Sequence, residues 1–227
     1  MDILLYAQDV LERDKMRGKL IVIEGTDSSG KQTQADLLCK RLNEDGIKAA
    51  RSRFPDYDTP TGRIIGECLL GKDGRSFFED FNQIPPKVAA LYYAADRAYN
   101  IDKINKLLDD GVNVILDRYV ESNMAYQAAK FSDIKDKINT LLWMEQLEFN
   151  LLDLPRPDKV IFLYLPYEYR MDKSEKNAYL KDAEMVYSLM VERYGFDIIN
   201  CINDNKIRSI DDINEEIYQH IHNFIVN

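Results

Sequence analysis

The sequence predicts an α/β protein in which a five-stranded parallel sheet lies between two layers of helices. Two observations carry this expectation. Short runs of branched apolar residues alternate with longer segments of helical periodicity, and a glycine-rich GxxxxGK run stands where the first strand passes into the first helix. Alternation of this kind needs crossover connections, which bring parallel pairing and a sheet covered on both faces.

The first segment, residues 1–17 (MDILLYAQDVLERDKMR), reads as an amphipathic helical extension packed on the domain. It has no basic leading region, and its apolar run Ile3 to Ala7 is too short for the core of a signal peptide. Leu20 to Ile23, Val112 to Leu116 and Val160 to Leu165 then read as buried strands, with Ile47 to Arg53 and Phe196 to Ile202 as weaker ones. Helical spacing marks Lys31 to Asn43, Pro85 to Asp109, Ser122 to Lys130, Ile134 to Leu152, Lys173 to Tyr194 and Ile210 to Ile225. Pro85 and Pro86 suit a first helical turn, and Gly46, Gly111 and Gly195 stand where helices should stop. The segment Gly71-Lys72-Asp73-Gly74 is the loop most suited to move. No internal repeat or low-complexity linker divides the chain, so residues 18–227 are expected to fold as one domain.

Composition narrows the partners. The chain has 227 residues and a formal net charge of -9, with no Lys/Arg block, which argues against a duplex nucleic acid partner. No apolar run approaches the roughly 20 residues that cross a bilayer. Cys39, Cys68 and Cys201 are widely spaced and odd in number, which fits neither a disulfide framework nor a zinc site and suits a reducing cytosol.

The chemistry starts at Glu24-Gly25-Thr26-Asp27-Ser28-Ser29-Gly30-Lys31-Gln32-Thr33, between a strand and a helix. Gly25 and Gly30 let the backbone curl so that successive N–H groups point inward, and the helix beginning near Lys31 adds the positive end of its dipole. Such a run between a strand and a helix is what a P-loop NTPase is expected to carry. The residues expected to touch ATP are Gly25, Ser28, Ser29, Gly30, Lys31, Gln32 and Thr33, with Lys31 reaching the β- and γ-phosphates. Gln32 stands where a Ser or Thr hydroxyl usually meets Mg²⁺. The metal is therefore expected to lean on carboxylates, Asp27 and Asp117. Asp117-Arg118 ends a strand, at the sheet edge where open α/β folds bind ligands.

The segments EGTDSSGKQTQ, RFPDY from Arg53, LYYAADRA from Leu91 and DRYVESNMAYQ from Asp117 together resemble the thymidylate kinase family. The resemblance runs from about Gly18 to the C-terminus and is strongest up to Lys130. It implies transfer of the terminal phosphoryl group of ATP to thymidine monophosphate, with Mg²⁺, in a homodimer. Position by position, Tyr93 matches the aromatic residue that stacks on thymine and Arg97 the arginine that meets the base oxygen; Tyr92 is an alternative stacking ring. Four residues apart on a helix, Tyr93 and Arg97 share a face. Phe54 and Pro55 resemble the element that closes over the acceptor, and Tyr57 stands where many members carry an arginine for the monophosphate. That substitution leaves Arg118 with most of the acceptor phosphate charge. Asn123 resembles the residue facing the pyrimidine edge, Tyr126 the ring that excludes a 2′-hydroxyl, and Asp27 the carboxylate that orients the sugar and fixes Arg118 or the metal. The family takes a further basic residue from the phosphate loop or from a lid. Ser28 occupies the loop position, so a short lid around residues 166–182 is expected to supply it, with Arg170 first, then Lys173 and Lys176. The same residues leave open a kinase for deoxynucleosides or other monophosphates, or a nucleotide-binding protein of reduced activity. A GTPase switch is disfavoured, since no NKxD and DxxG signatures occur in workable order.

Overall fold

The computed structural model describes residues 17–72, 74–79, 83–169 and 177–226. Residues 1–16 of the helical extension expected over 1–17, and the lid cations Arg170, Lys173 and Lys176, lie outside these described residues. Strands β1 (Leu20–Gly25), β2 (Ala49–Arg53), β3 (Asn113–Asp117), β4 (Lys159–Tyr164) and β5 (Asp197–Asn200) form one parallel sheet in the order β2-β3-β1-β4-β5. β1 is the central strand, with Ile21 opposite Ile115 on one side and Lys159 on the other.

Because side chains alternate across a strand, β1 serves two cores. Ile21 and Ile23 pack with Ile115, Ile161 and Leu163 beneath α1 (Lys31–Glu44) and the C-terminal helix (Ile210–Val226). Leu20 and Val22 join Val114, Leu116 and Phe162 on the opposite face. There α3 (Pro86–Asp109), α4 (Val120–Ala128), α5 (Ile134–Glu145) and α6 (Asn177–Tyr194) cover the sheet, α2 being the single turn Pro60–Arg63. The four apolar residues Leu20–Ile23 are fully buried, each worth about 1.5–3 kcal/mol against exposure. Together they make the central strand the anchor of both layers.

The five expected strands and six expected helices are present among the described residues with ends that differ by a few residues, the start of the helix expected from Lys173 lying outside them. The expected helix over Ile134 to Leu152 is corrected at its second half: the α-helix stops at Glu145 and passes into a π-helical turn, Gln146–Leu151. A wider turn carries nearly the same apolar spacing, so periodicity cannot separate the two. A second π-helical turn, Ile64–Leu69, follows α2. A small hairpin, β6 (Ile202–Asn203) with β7 (Lys206–Ile207), turns through Asp204 and Asn205, both at positive φ. Asp-Asn is a weaker turn signal than Asn-Gly. Gly46, Gly111 and Gly195 sit at helix ends with φ of 78°, 73° and 68°, a backbone conformation that glycine adopts without a Cβ penalty. The C-terminal ends of β2, β3 and β1 lie side by side, which brings Phe54, Arg118 and the phosphate loop to one edge.

Candidate active site

The phosphate loop closes on itself. Gly25 has φ 156°, and a Cβ there would stand 2.7 Å from the Leu163 carbonyl oxygen, so glycine is required for the close approach to β4. Ser28 and Gly30 are both left-handed. The Lys31 ammonium is folded back and donates to the Thr26 carbonyl at 2.7 Å. Burial, then the neighbouring Arg118 charge, holds the Lys31 pKa down to about 7. Thr26 Oγ1 donates to Leu165 O at 3.2 Å, while the buried Ser29 hydroxyl has no partner among the described residues. Gln32 and Thr33 are exposed at the start of α1.

The turn between β3 and α4 carries Arg118 at φ 68°. Its Nη2 donates to Asp27 Oδ1 at 2.6 Å and its Nη1 to Ser122 Oγ at 3.1 Å. Burial raises the Asp27 pKa, but the Arg118 and Lys31 charges outweigh it and the net shift is downward. Glu24, the last side chain of β1 before the loop, lies beneath this turn and is fully buried. It accepts hydrogen bonds from Tyr119 N at 3.1 Å, Ser122 N at 3.0 Å, Ser122 Oγ at 2.8 Å and Tyr187 OH at 2.8 Å. Asp117 pairs with Arg51 at 3.1 Å.

Between this turn and α3 opens a cavity of about 730 Å³, within the usual size of small-molecule sites. Asp27 and Arg118 stand in its wall together with Phe54, Pro55 and Tyr57. Further along the wall are Tyr93, Arg97, Asn123, Gln127 and Tyr126. Tyr179 and Leu180 of α6 complete one side. Of the two adjacent tyrosines on α3, Tyr93 lines the cavity, whereas Tyr92 is outward and 37% exposed. Arg97 is buried, with Nε on Glu148 Oε2 at 2.8 Å, Nη2 on Glu148 Oε1 and Nη1 toward Tyr119 O at 3.4 Å. Asn123 donates both amide hydrogens, to Ala90 O at 3.2 Å and Glu148 Oε1 at 3.3 Å. Its Oδ1 is left buried and without a partner among the described residues. The Tyr126 ring lies 5.5 Å from the Arg118 guanidinium carbon, and Tyr179 OH donates to Tyr126 O at 2.7 Å.

A P-loop thus stands beside a cavity lined by an aromatic ring, an arginine and an amide, and comparison with known proteins gives the family. The thymidylate kinase family model matches residues 23–217. The chain belongs to the thymidylate kinase family. A probable thymidylate kinase of Pyrococcus abyssi is 34% identical over 77% of this chain and 78% of its own length. The thymidylate kinase of Dictyostelium discoideum is 31% identical over 88% of this chain and 83% of its own. Among solved structures, the Candida albicans thymidylate kinase aligns with a TM-score of 0.71 at 28% identity over 92% of each chain. Its description speaks of broad substrate specificity and a novel structural element.

The nucleotide binding that this family implies can be set against the oxygens present. Among the described residues no three His, Cys, Asp or Glu side chains converge on a point that could hold a metal ion. What the loop and β3 offer is sparse and hard: the Asp27 and Asp117 carboxylates and the orphaned Ser29 hydroxyl. That fits magnesium, which keeps most of its ligands as water and phosphate oxygens and takes one or two carboxylates from protein. Three residues at or beneath this candidate site, Gln127, Glu24 and Glu148, are not among those expected from the sequence. Gln127 stands one helical turn beyond Asn123 and also leaves its Oε1 buried without a partner among the described residues; its i, i+4 spacing was the available signal. Glu24 and Glu148 act across long separations that spacing does not reveal.

Proposed function

We propose that the chain transfers the terminal phosphoryl group of ATP to thymidine monophosphate. The observation that supports this best is the far end of the cavity, where Arg97 offers a donor and Asn123 an acceptor beside the Tyr93 ring. A pyrimidine imide presents an N–H flanked by carbonyl oxygens. Asn123 Oδ1 would accept from that N–H, Arg97 would donate to the adjacent carbonyl and Tyr93 would stack on the ring. Arg118 would grip the acceptor phosphate with Tyr57 beside it, held in place by Asp27, which would also orient the sugar. Phe54 would close over the acceptor. Tyr126, pinned by Tyr179, would leave no room for a 2′-hydroxyl.

On the donor side, the curled backbone from Gly25 to Gly30, with Gln32 and Thr33, would cradle ATP. Lys31 would leave Thr26 O for the β- and γ-phosphates. Asp27 and Asp117 would hold magnesium, which when bound would supply positive charge to the transferring phosphates. Arg170, in the expected short lid, would add charge at the transferring group. No general base is needed, because the attacking group is already an anionic phosphate oxygen; the residues position two nucleotides in line and spread positive charge. The expected homodimer is supported by an outward apolar stripe on α3, where Val88, Leu91 and Tyr99 are 41%, 49% and 60% exposed.

The test is ADP release by purified protein with ATP and Mg²⁺, comparing thymidine monophosphate with other monophosphates, thymidine and no acceptor. Turnover with thymidine monophosphate, abolished by Lys31→Ala and cut about 100-fold or more by Arg118→Ala, is expected. Turnover with thymidine instead would make the chain a nucleoside kinase, and ATP binding without transfer would make it a binding protein.

A further inference from the structure

Glu148 is fully buried in the π-helical turn Gln146–Leu151, away from the phosphate loop. A buried carboxylate is costly unless its oxygens are filled by charged or polar donors. Here both are filled by cavity residues. Arg97 spans them through Nε and Nη2, and Asn123 Nδ2 approaches the same Oε1. An α-helix continued past Glu145 would carry residue 148 round at 100° per residue. The wider π turn alters that course, and π turns of this kind recur at functional sites.

The chemical consequence lies in the orientation of two side chains. An asparagine amide can present either its oxygen or its nitrogen to a ligand. For Asn123 both neighbours on the inner side, Glu148 Oε1 and Ala90 O, are acceptors. The NH₂ group must therefore face them, which leaves the oxygen of this cavity-lining residue turned away from them, buried and without a partner among the described residues. Arg97, pinned through Nε and Nη2, directs one Nη1 hydrogen to Tyr119 O at 3.4 Å and has the second left to donate. From these contacts we infer that Glu148 is a positioning residue that sets base selectivity, by fixing Asn123 as an acceptor and Arg97 as a donor on one edge. That edge matches the N3–H and C4 carbonyl of thymine or uracil. It opposes cytosine, which offers an acceptor at N3 and an amino donor at C4.

This assignment rests on the acceptor reading proposed above and predicts what a merely structural glutamate would not. Glu148→Gln keeps the shape but removes the charge that anchors Arg97 and gives Asn123 a neighbour able to donate. With ATP saturating, kcat/KM for thymidine monophosphate and deoxycytidine monophosphate is measured in the unmodified and variant enzymes. The ratio of the two is expected to fall about tenfold or more in the variant, mainly through a higher KM for thymidine monophosphate, because lost hydrogen-bond discrimination acts in binding. Circular dichroism reports folding. Glu148→Asp, which keeps the charge but cannot span both partners, is expected to fall between the two. A folded variant that loses activity on both nucleotides by the same factor overturns the inference, and so does failure of both variants to fold. If the unmodified enzyme uses neither nucleotide, the acceptor reading itself is wrong.

Discussion

Two buried side chains near the phosphate loop hold unusual protons, and they act on stability in opposite directions. Lys31 has its pKa lowered to about 7, by desolvation first and Arg118 second. An unfolded lysine titrates near 10.4. The folded chain therefore binds fewer protons between about 7 and that value, and stability rises with pH across the window. Polyphosphate beside the amine restores its charge, so ATP binding at pH 8 is expected to take up close to one proton. Calorimetry in buffers of different ionisation enthalpy measures this, and Lys31→Met should show none. Glu121, in the first turn of α4, is pushed up from 4.5 to about 8 by burial and then by Glu24. Its Oε2 has no partner among the described residues. Here the folded chain holds a proton that the unfolded chain sheds, so stability falls as pH rises from about 4.5 to about 8. Glu121→Gln should flatten that slope and raise the melting temperature at pH 8 by about 2–4 °C for each kcal/mol gained.

At the scale of elements, α4 begins without a cap of its own: Tyr119 at its N-cap makes no side-chain hydrogen bond to the helix. Glu24 supplies the missing acceptor from β1, to Tyr119 N and Ser122 N. The helix start that carries Arg118 is thereby tied to the strand that opens the phosphate loop. Glu24→Gln leaves part of this acceptor set unmatched and should cost about 1–3 kcal/mol in denaturant unfolding. It should also lower kcat by more than it weakens ATP binding, since Arg118, proposed to grip the acceptor phosphate, loses its frame through Ser122. None of this could be read from the sequence, where Glu24 is only the letter before a glycine and its partners lie 95 or more positions away. What could be read was local. The GxxxxGK run announced itself because Gly25 and Gly30 need conformations that other residues resist, and Tyr93 and Arg97 shared a face because they are one turn apart. The π-helical turn at Glu148 stayed hidden, because one extra residue in a turn barely changes apolar spacing.

At the scale of the whole molecule, Val88, Leu91, Tyr92 and Tyr99 present an apolar ridge along the outer face of α3, the same helix that carries Tyr93 and Arg97 inward. On the proposed homodimer reading, Leu91→Arg should shift the protein to monomer in light scattering. It should lower kcat/KM by an amount that depends on protein concentration, because partner binding stabilises only the folded, paired form. The sheet order has another consequence, for the growing chain. β1 emerges from the ribosome well before its neighbours β3 and β4, whose residues 113–117 and 159–164 come long after it. Until then the run Leu-Ile-Val-Ile has two open edges and no core to enter, which is the kind of exposed strand that aggregates or engages chaperones. The strand at the centre of the finished enzyme is therefore the segment most at risk while the enzyme is being made.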